Sequence, residues 1–191
     1  LCKQNKALII VDEVQSGAGR TGTLFAYEQF GIKPDIMCCA KGIGGGIPIG
    51  AILTSTKISE CMQLGSHGST FGGNPLACAV AEQVMIMLTK KSLLNGVKKK
   101  EKIFLTELKK INKEFKCFSA IRSSGPWIGC KLNATEKFNL DTVMKGCYAK
   151  GLMILKANNN TIRIAPSLII EDEVIMKGLK ILKQTIQEQV Q

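Results

Sequence analysis

Histidine is almost missing: His67 is the only one among 191 residues, and there is no C-x-x-C pair for it to complete as a metal site. The 8 cysteines include the adjacent Cys38-Cys39 and are otherwise scattered, so they offer neither a zinc site nor a disulfide framework. They are expected as free, mostly buried thiols in a reducing compartment, where cysteine packs as a small hydrophobe. A membrane span needs roughly 20 consecutive apolar residues, and no stretch approaches that. No charged segment followed by an apolar core marks secretion either, which leaves a cytoplasmic protein as the expectation. An initiating Met is also absent. Leu1 to Lys6 is a polar tail running into Ala7-Leu8-Ile9-Ile10-Val11 without a start signal, so the chain reads as a fragment, long enough for one ordinary domain or the larger part of two small ones.

The formal net charge is +11, with lysine clusters at Lys90-Lys91, Lys98 to Lys102 and Lys109 to Lys116. These lysines alternate with Ile103, Phe104, Leu105, Leu108 and Ile111 at helical spacing, the pattern of a solvated face on an amphipathic helix. Few aromatic residues for base stacking lie there, and no nucleic-acid partner is expected.

Ala7 to Val11 is a short apolar run ending in Asp12-Glu13, the pattern of a buried parallel strand that delivers polar residues at its carboxyl end. Ile36 to Ala40 is a second such run and ends at Lys41; Ile49 to Leu53 follows the glycine loop Gly42 to Gly50. Short apolar strands joined by glycine-rich loops predict an α/β sheet, which binds ligands at the carboxyl ends of its strands. Asn74-Pro75 then opens a long apolar run, Leu76 to Leu88, read as a well-buried helix. An amphipathic helix follows over Lys98 to Lys113, and Asn95-Gly96 between the two is the expected domain boundary. Beyond it, strands are predicted at Phe118 to Arg122, Trp127 to Leu132, near Met153 to Lys156 and at Thr161 to Ala165, with helices at about Leu140 to Lys150 and Glu171 to Gln187. Residues 1–94 and 95–191 are thus expected as two domains, the second a small α/β one.

The chemistry concentrates in Asp12-Glu13-Val14-Gln15 with the following Gly17 and Gly19-Arg20-Thr21-Gly22, and in Lys41-Gly42 with its glycine cluster. A buried carboxylate beside a pyridine nitrogen keeps that nitrogen protonated, so that the ring acts as an electron sink, while a nearby amine forms a Schiff base. Asp12 and Lys41 supply that pair, and a desolvated lysine amine is nucleophilic and serves as a general base once released.

The order D-E-V-Q-S-G-x-G-R-T-G, then P-D-I-x-x-x-A-K-G-x-G-G-G-x-P-I-G-A, then H-G-S-T-F-G-G-N-P-L-A-C-A-V-A resembles the class III pyridoxal-phosphate-dependent aminotransferases along essentially the whole chain. The likeness is closest to the bacterial acetylornithine/succinyldiaminopimelate branch. It implies the PLP-dependent transferase fold of type I, here the end of the large cofactor domain followed by the small carboxyl-terminal domain. It also implies pyridoxal 5'-phosphate as cofactor, N-acetylornithine and 2-oxoglutarate/glutamate as substrates, and a homodimer with shared active sites. Asp12, Glu13, Val14 and Gln15 are then expected at the cofactor: Asp12 on the pyridine nitrogen, Val14 on the ring face, Gln15 near the ring hydroxyl. Lys41 takes the Schiff-base position. Ser69 falls near the substrate and Thr70 on the cofactor phosphate, both reaching across the dimer interface. Arg163, in Ile162-Arg163-Ile164-Ala165-Pro166, matches the arginine that grips the substrate α-carboxylate, a task suited to its fork of donors. His67, Arg20 and Arg122 are read as structural.

Relatives commonly carry R-G-x-G-L-M/L-x-G where this chain has Arg122-Ser123-Ser124-Gly125-Pro126-Trp127-Ile128-Gly129. The family's phosphate-binding glycine loop, its ring-stacking aromatic and a further substrate arginine would lie before Leu1. Ornithine and 4-aminobutyrate aminotransferases are the neighbouring readings, and a catalytically silent remnant is another.

Overall fold

β-branched residues favour extended backbone, and Ile9-Ile10-Val11 and Ile36 sit where the first two strands form. In the computed structural model, which describes residues 1–133 and 138–190, β1 (Ile10–Asp12) pairs parallel with β2 (Ile36–Ala40), Asp12 opposite Cys38. β2 pairs antiparallel with β3 (Gly50–Thr54). The α/β architecture is the expected one, but two details differ. The first strand starts at Ile10 rather than Ala7, because the Ile9 N–H is taken by Asp35 Oδ2 at 2.7 Å. The strands are also less covered than their composition suggests: Ile10 is 63% and Ile52 59% exposed. A strand apolar on both faces needs a layer on each, and the described residues do not supply both.

The same holds for α2 (Pro75–Leu88), which follows the one-turn helix α1 (Thr56–Ser59). Pro75 opens α2 as expected, and Asn74 caps it by accepting the Ala77 N–H at 2.9 Å. Only Ala77 and Leu88 are buried, however. A helix apolar all round calls for neighbours on every side, and its periodicity cannot say whether this chain contains them.

α3 (Lys91–Phe115) begins seven residues before its predicted start at Lys98 and runs through Asn95-Gly96 without interruption. The helical penalty of that glycine is about 1 kcal/mol, outweighed by the buried stripe Val97, Phe104, Leu108 and Ile111. The chain divides into two compact units, Leu1–Leu94 and Asn95–Gln191. The second is built on an antiparallel sheet in the order β4-β5-β7-β6: β4 (Phe118–Ser123), β5 (Ile128–Leu132), β6 (Leu155–Ala157), β7 (Thr161–Ile164). One sheet face, carrying Ile128, Cys130, Leu132 and Ile162, packs with α3, α4 (Leu140–Ala149) and α5 (Asp172–Gln187) into a closed core. Helix α5 buries Ile175, Leu179, Leu182 and Ile186 at the spacing of one helical face.

All eight cysteines are free, and Cys39, Cys117, Cys130 and Cys147 are buried. Burial pushes the Cys117 and Cys130 thiols up to about 12, so they pack as hydrophobes and do not ionise. The lysine-rich exterior is partly paired, as in Lys99–Asp172 and Lys183–Glu114, both at 2.7 Å. Among the described residues no helix is long and apolar enough to cross a membrane.

Candidate active site

Parallel pairing of β1 and β2 brings the carboxyl ends of both strands to one edge of the sheet, and both deliver polar side chains there. Successive residues of an extended chain point to opposite sides, which separates the neighbours Asp12 and Glu13. Asp12 is exposed, with Oδ1 accepting the Val14 N–H at 2.9 Å. Glu13 turns inward to 3% exposure. Its Oε1 accepts the Tyr27 N–H at 2.8 Å and its Oε2 the Ser16 hydroxyl at 2.6 Å, while its own N–H donates to Cys38 O at 2.8 Å. Expected among the cofactor-binding residues, Glu13 has both oxygens engaged inside the fold, where they brace the loop that presents Val14 and Gln15. Its partner Ser16, three residues on, was the one sign of this in the sequence.

β2 ends at Ala40, and the chain turns at once. Lys41 adopts φ +49, the left-handed region that a side chain occupies at a cost of about 1–2 kcal/mol. Its Nζ donates to Gln15 Oε1 at 3.1 Å across 26 residues of sequence. The turn is tightly seated on two sides. A Cβ added at Gly42 would lie 2.8 Å from Ala18 Cβ, and one at Gly45 would lie 2.8 Å from Val84 Cγ2 of α2. Glycine at these positions therefore lets the Lys41 turn approach both the Asp12–Gly19 loop and the helix. Lys41 and Gln15 thus meet at the sheet edge where the strand of Asp12 also ends: an exposed primary amine, an amide oxygen that aims it, and on the same edge a carboxylate able to hold a proton on a ligand.

Ser69 and Thr70 lie in an exposed stretch, together with His67, just before the α2 cap. Among the described residues they make no hydrogen bond to Asp12, Gln15 or Lys41. Leu64 and Phe71 in the same stretch are 107% and 81% exposed, so these two apolar side chains have no cover among the described residues. Arg163 belongs to the second unit, on β7, opposite Gly129 of β5 and Leu155 of β6. Its guanidinium carbon lies 5.6 Å from the centre of the Trp127 ring, a contact that the turn's departure from the common pattern introduces and that spacing alone did not reveal.

Comparison with known proteins follows the same outline. The family described as aminotransferase class-III matches residues 1–186. The acetylornithine/succinyldiaminopimelate aminotransferase of Buchnera aphidicola subsp. Acyrthosiphon pisum (strain APS) is 48% identical over 180 residues, 94% of this chain and 44% of that protein. The succinylornithine transaminase of Yersinia pseudotuberculosis serotype O:1b (strain IP 31758) is 45% identical over 188 residues, 98% of this chain and 45% of that one. Among solved structures, N-acetylornithine aminotransferase from Stenotrophomonas maltophilia K279a matches with a TM-score of 0.88 at 36% identity, covering 99% of this chain and 49% of that one. The chain spans less than half the length of these relatives.

Proposed function

The chain belongs to the class-III aminotransferases, and on that premise we propose that the full-length protein moves the terminal amino group of N-acetylornithine, or of succinyldiaminopimelate, to 2-oxoglutarate. This would be a step of arginine or lysine biosynthesis with pyridoxal 5'-phosphate as cofactor. The observation that carries the reading is the Lys41–Gln15 hydrogen bond at the sheet edge where two parallel strands end, one of them with Asp12. Its donor set fits the cofactor: an amine to hold an aldehyde carbon, an amide oxygen beside it for a ring hydroxyl, and a carboxylate for a ring nitrogen.

Bound there, pyridoxal phosphate supplies an electron sink for negative charge on the amine-bearing carbon of the substrate. The residues of this chain do the rest. Asp12 keeps a proton on the ring nitrogen, and Val14 covers the ring face. Gln15, which already engages the Lys41 amine, orients it and meets the ring hydroxyl. Lys41 would hold the cofactor through its amine and, as a free amine, would move a proton at the substrate carbon as a general base. Glu13 holds the loop in place. Ser69 and Thr70 serve the site of the partner protomer in a homodimer, which agrees with the bare exposure of their stretch. Arg163 binds the carboxylate common to both amino donors and to 2-oxoglutarate. The acetylated and succinylated substrates named for the relatives support the choice of donor.

The test is borohydride reduction of the full-length holoprotein followed by peptide mapping, with the label expected on Lys41. A label on another lysine overturns the site. In a coupled glutamate assay acetylornithine is expected to exceed free ornithine as donor; the reverse order moves the protein to the ornithine aminotransferases, and no turnover with an intact label marks a silent protein.

A further inference from the structure

Every second residue of β7 points away from the helices: Ile162 is fully buried in the core, and Arg163 projects to the other face of the sheet. Directly across from Arg163 on β5 is Gly129, and across from Gly129 on β4 is Arg122. The missing side chain at Gly129 leaves a trough between two arginines. Trp127, two residues before Gly129 and so on the same face, stands beside that trough. The residues Arg122, Ser123, Ser124, Trp127, Gly129 and Arg163 line most of a cavity of about 380 Å³.

Arg163 carries its charge here without a carboxylate neighbour. No acidic residue pairs with it among the described residues, and its Nε is buried with no hydrogen-bond acceptor. The group that bears on the guanidinium is the indole, 5.6 Å from ring centre to Cζ, within the range of a cation–π contact. The distinction matters chemically. An Asp or Glu would orient the fork by occupying its donors and would compete with any incoming anion. An aromatic face orients the cation and accepts none of its N–H bonds, so the donors remain for a ligand carboxylate.

We infer that Trp127 is a positioning residue that holds the Arg163 guanidinium ready for a substrate carboxylate, and so sets affinity for both the amino donor and the oxo-acid acceptor. The inference rests on the proposed role of Arg163. It assigns a task to Trp127, the one tryptophan of the chain.

Trp127→Met removes the indole while keeping a long, flexible apolar side chain that can fill part of its space. In the full-length holoenzyme the variant is expected to raise KM for acetylornithine and for 2-oxoglutarate by a common factor of about two- to thirtyfold, the range of a cation–π contact, with kcat little changed. Calorimetric titration with glutarate, a dicarboxylate without amino or oxo group, should show the same loss in Kd without turnover. Trp127→Phe, which keeps a π face, should recover most of it. In an Arg163→Gln background Trp127→Met should have no further effect. If Arg163→Gln weakens glutarate and Trp127→Met does not, the inference is overturned and the role of Arg163 stands. If Trp127→Met weakens glutarate equally with and without Arg163, the indole acts on the fold and the inference is again overturned. If Arg163→Gln itself leaves glutarate binding unchanged, the carboxylate role of Arg163 falls, and the inference with it.

Discussion

Gly42→Ala tests whether the backbone contact behind Lys41 governs the amine. Gly42 has ordinary backbone angles, so alanine costs nothing there in φ and ψ; the cost is steric. The new Cβ lies 2.8 Å from Ala18 Cβ, well inside van der Waals contact. Neither side yields readily, since Ala18 has φ +54 and Lys41 φ +49, each already on the small left-handed island. Overpacking of this kind costs about 1–3 kcal/mol. The free protein relieves it by shifting the turn that carries Lys41, and cofactor binding must draw the turn back. The relieved strain therefore returns as lost affinity, about five- to 150-fold. Absorbance titration of the full-length apoprotein with pyridoxal phosphate reads it directly. Ala18→Gly deletes the opposing methyl and suits the positive φ, so the pair Ala18→Gly/Gly42→Ala should regain most of the affinity. Unchanged affinity in Gly42→Ala, or no recovery in the pair, refutes the reasoning.

Two further outcomes concern the second unit. Leu108 is fully buried in its core, so Leu108→Ala should lower the free energy of unfolding by about 2–5 kcal/mol and Leu108→Met by less than about 1.5; a denaturant midpoint that barely moves in Leu108→Ala would mean the core is not closed there. The hydrogen bond and charge of Lys156 hold the Asp141 carboxyl below its ordinary 3.8, so the pair's contribution is present above the unfolded value and is lost as pH falls through the depressed folded one. Asp141→Asn should therefore change stability little at neutral pH beyond what an exposed pair contributes and should flatten the acid limb below about pH 4; an unaltered acid limb counts against the pair.

The elements with one clear boundary and one clear period were legible in the sequence. β2 ends at Ala40, just before Lys41, because an apolar run meets a lysine followed by glycine, and α5 declares itself by the spacing of Ile175, Leu179, Leu182 and Ile186. Burial in the first unit was not legible. All-round apolarity in α2 and on β1 records a need for cover, and says nothing of where the cover comes from. The three motifs in order pointed to Asp12, Gln15 and Lys41, but three facts about them depend on closing the loop between the strands. These are the left-handed backbone at Lys41, its bond to Gln15 and the inward turn of Glu13. The Trp127 contact needed the β5–β7 register, which pairs residues 34 positions apart, Gly129 with Arg163.

Lys41 also bears on the history of the gene. A position at φ +49 suits glycine or asparagine best, and lysine there forgoes about 1–2 kcal/mol of available stability. Mutation without purifying selection drifts toward residues the backbone tolerates more easily, and one base change in the third position of a lysine codon reaches asparagine. A lineage that had stopped using the amine would have an easy exit at this codon, and it would gain stability by taking it. On the proposed role of Lys41, Lys41→Asn should therefore raise the stability of the fold while removing the amine, the two effects falling on one residue.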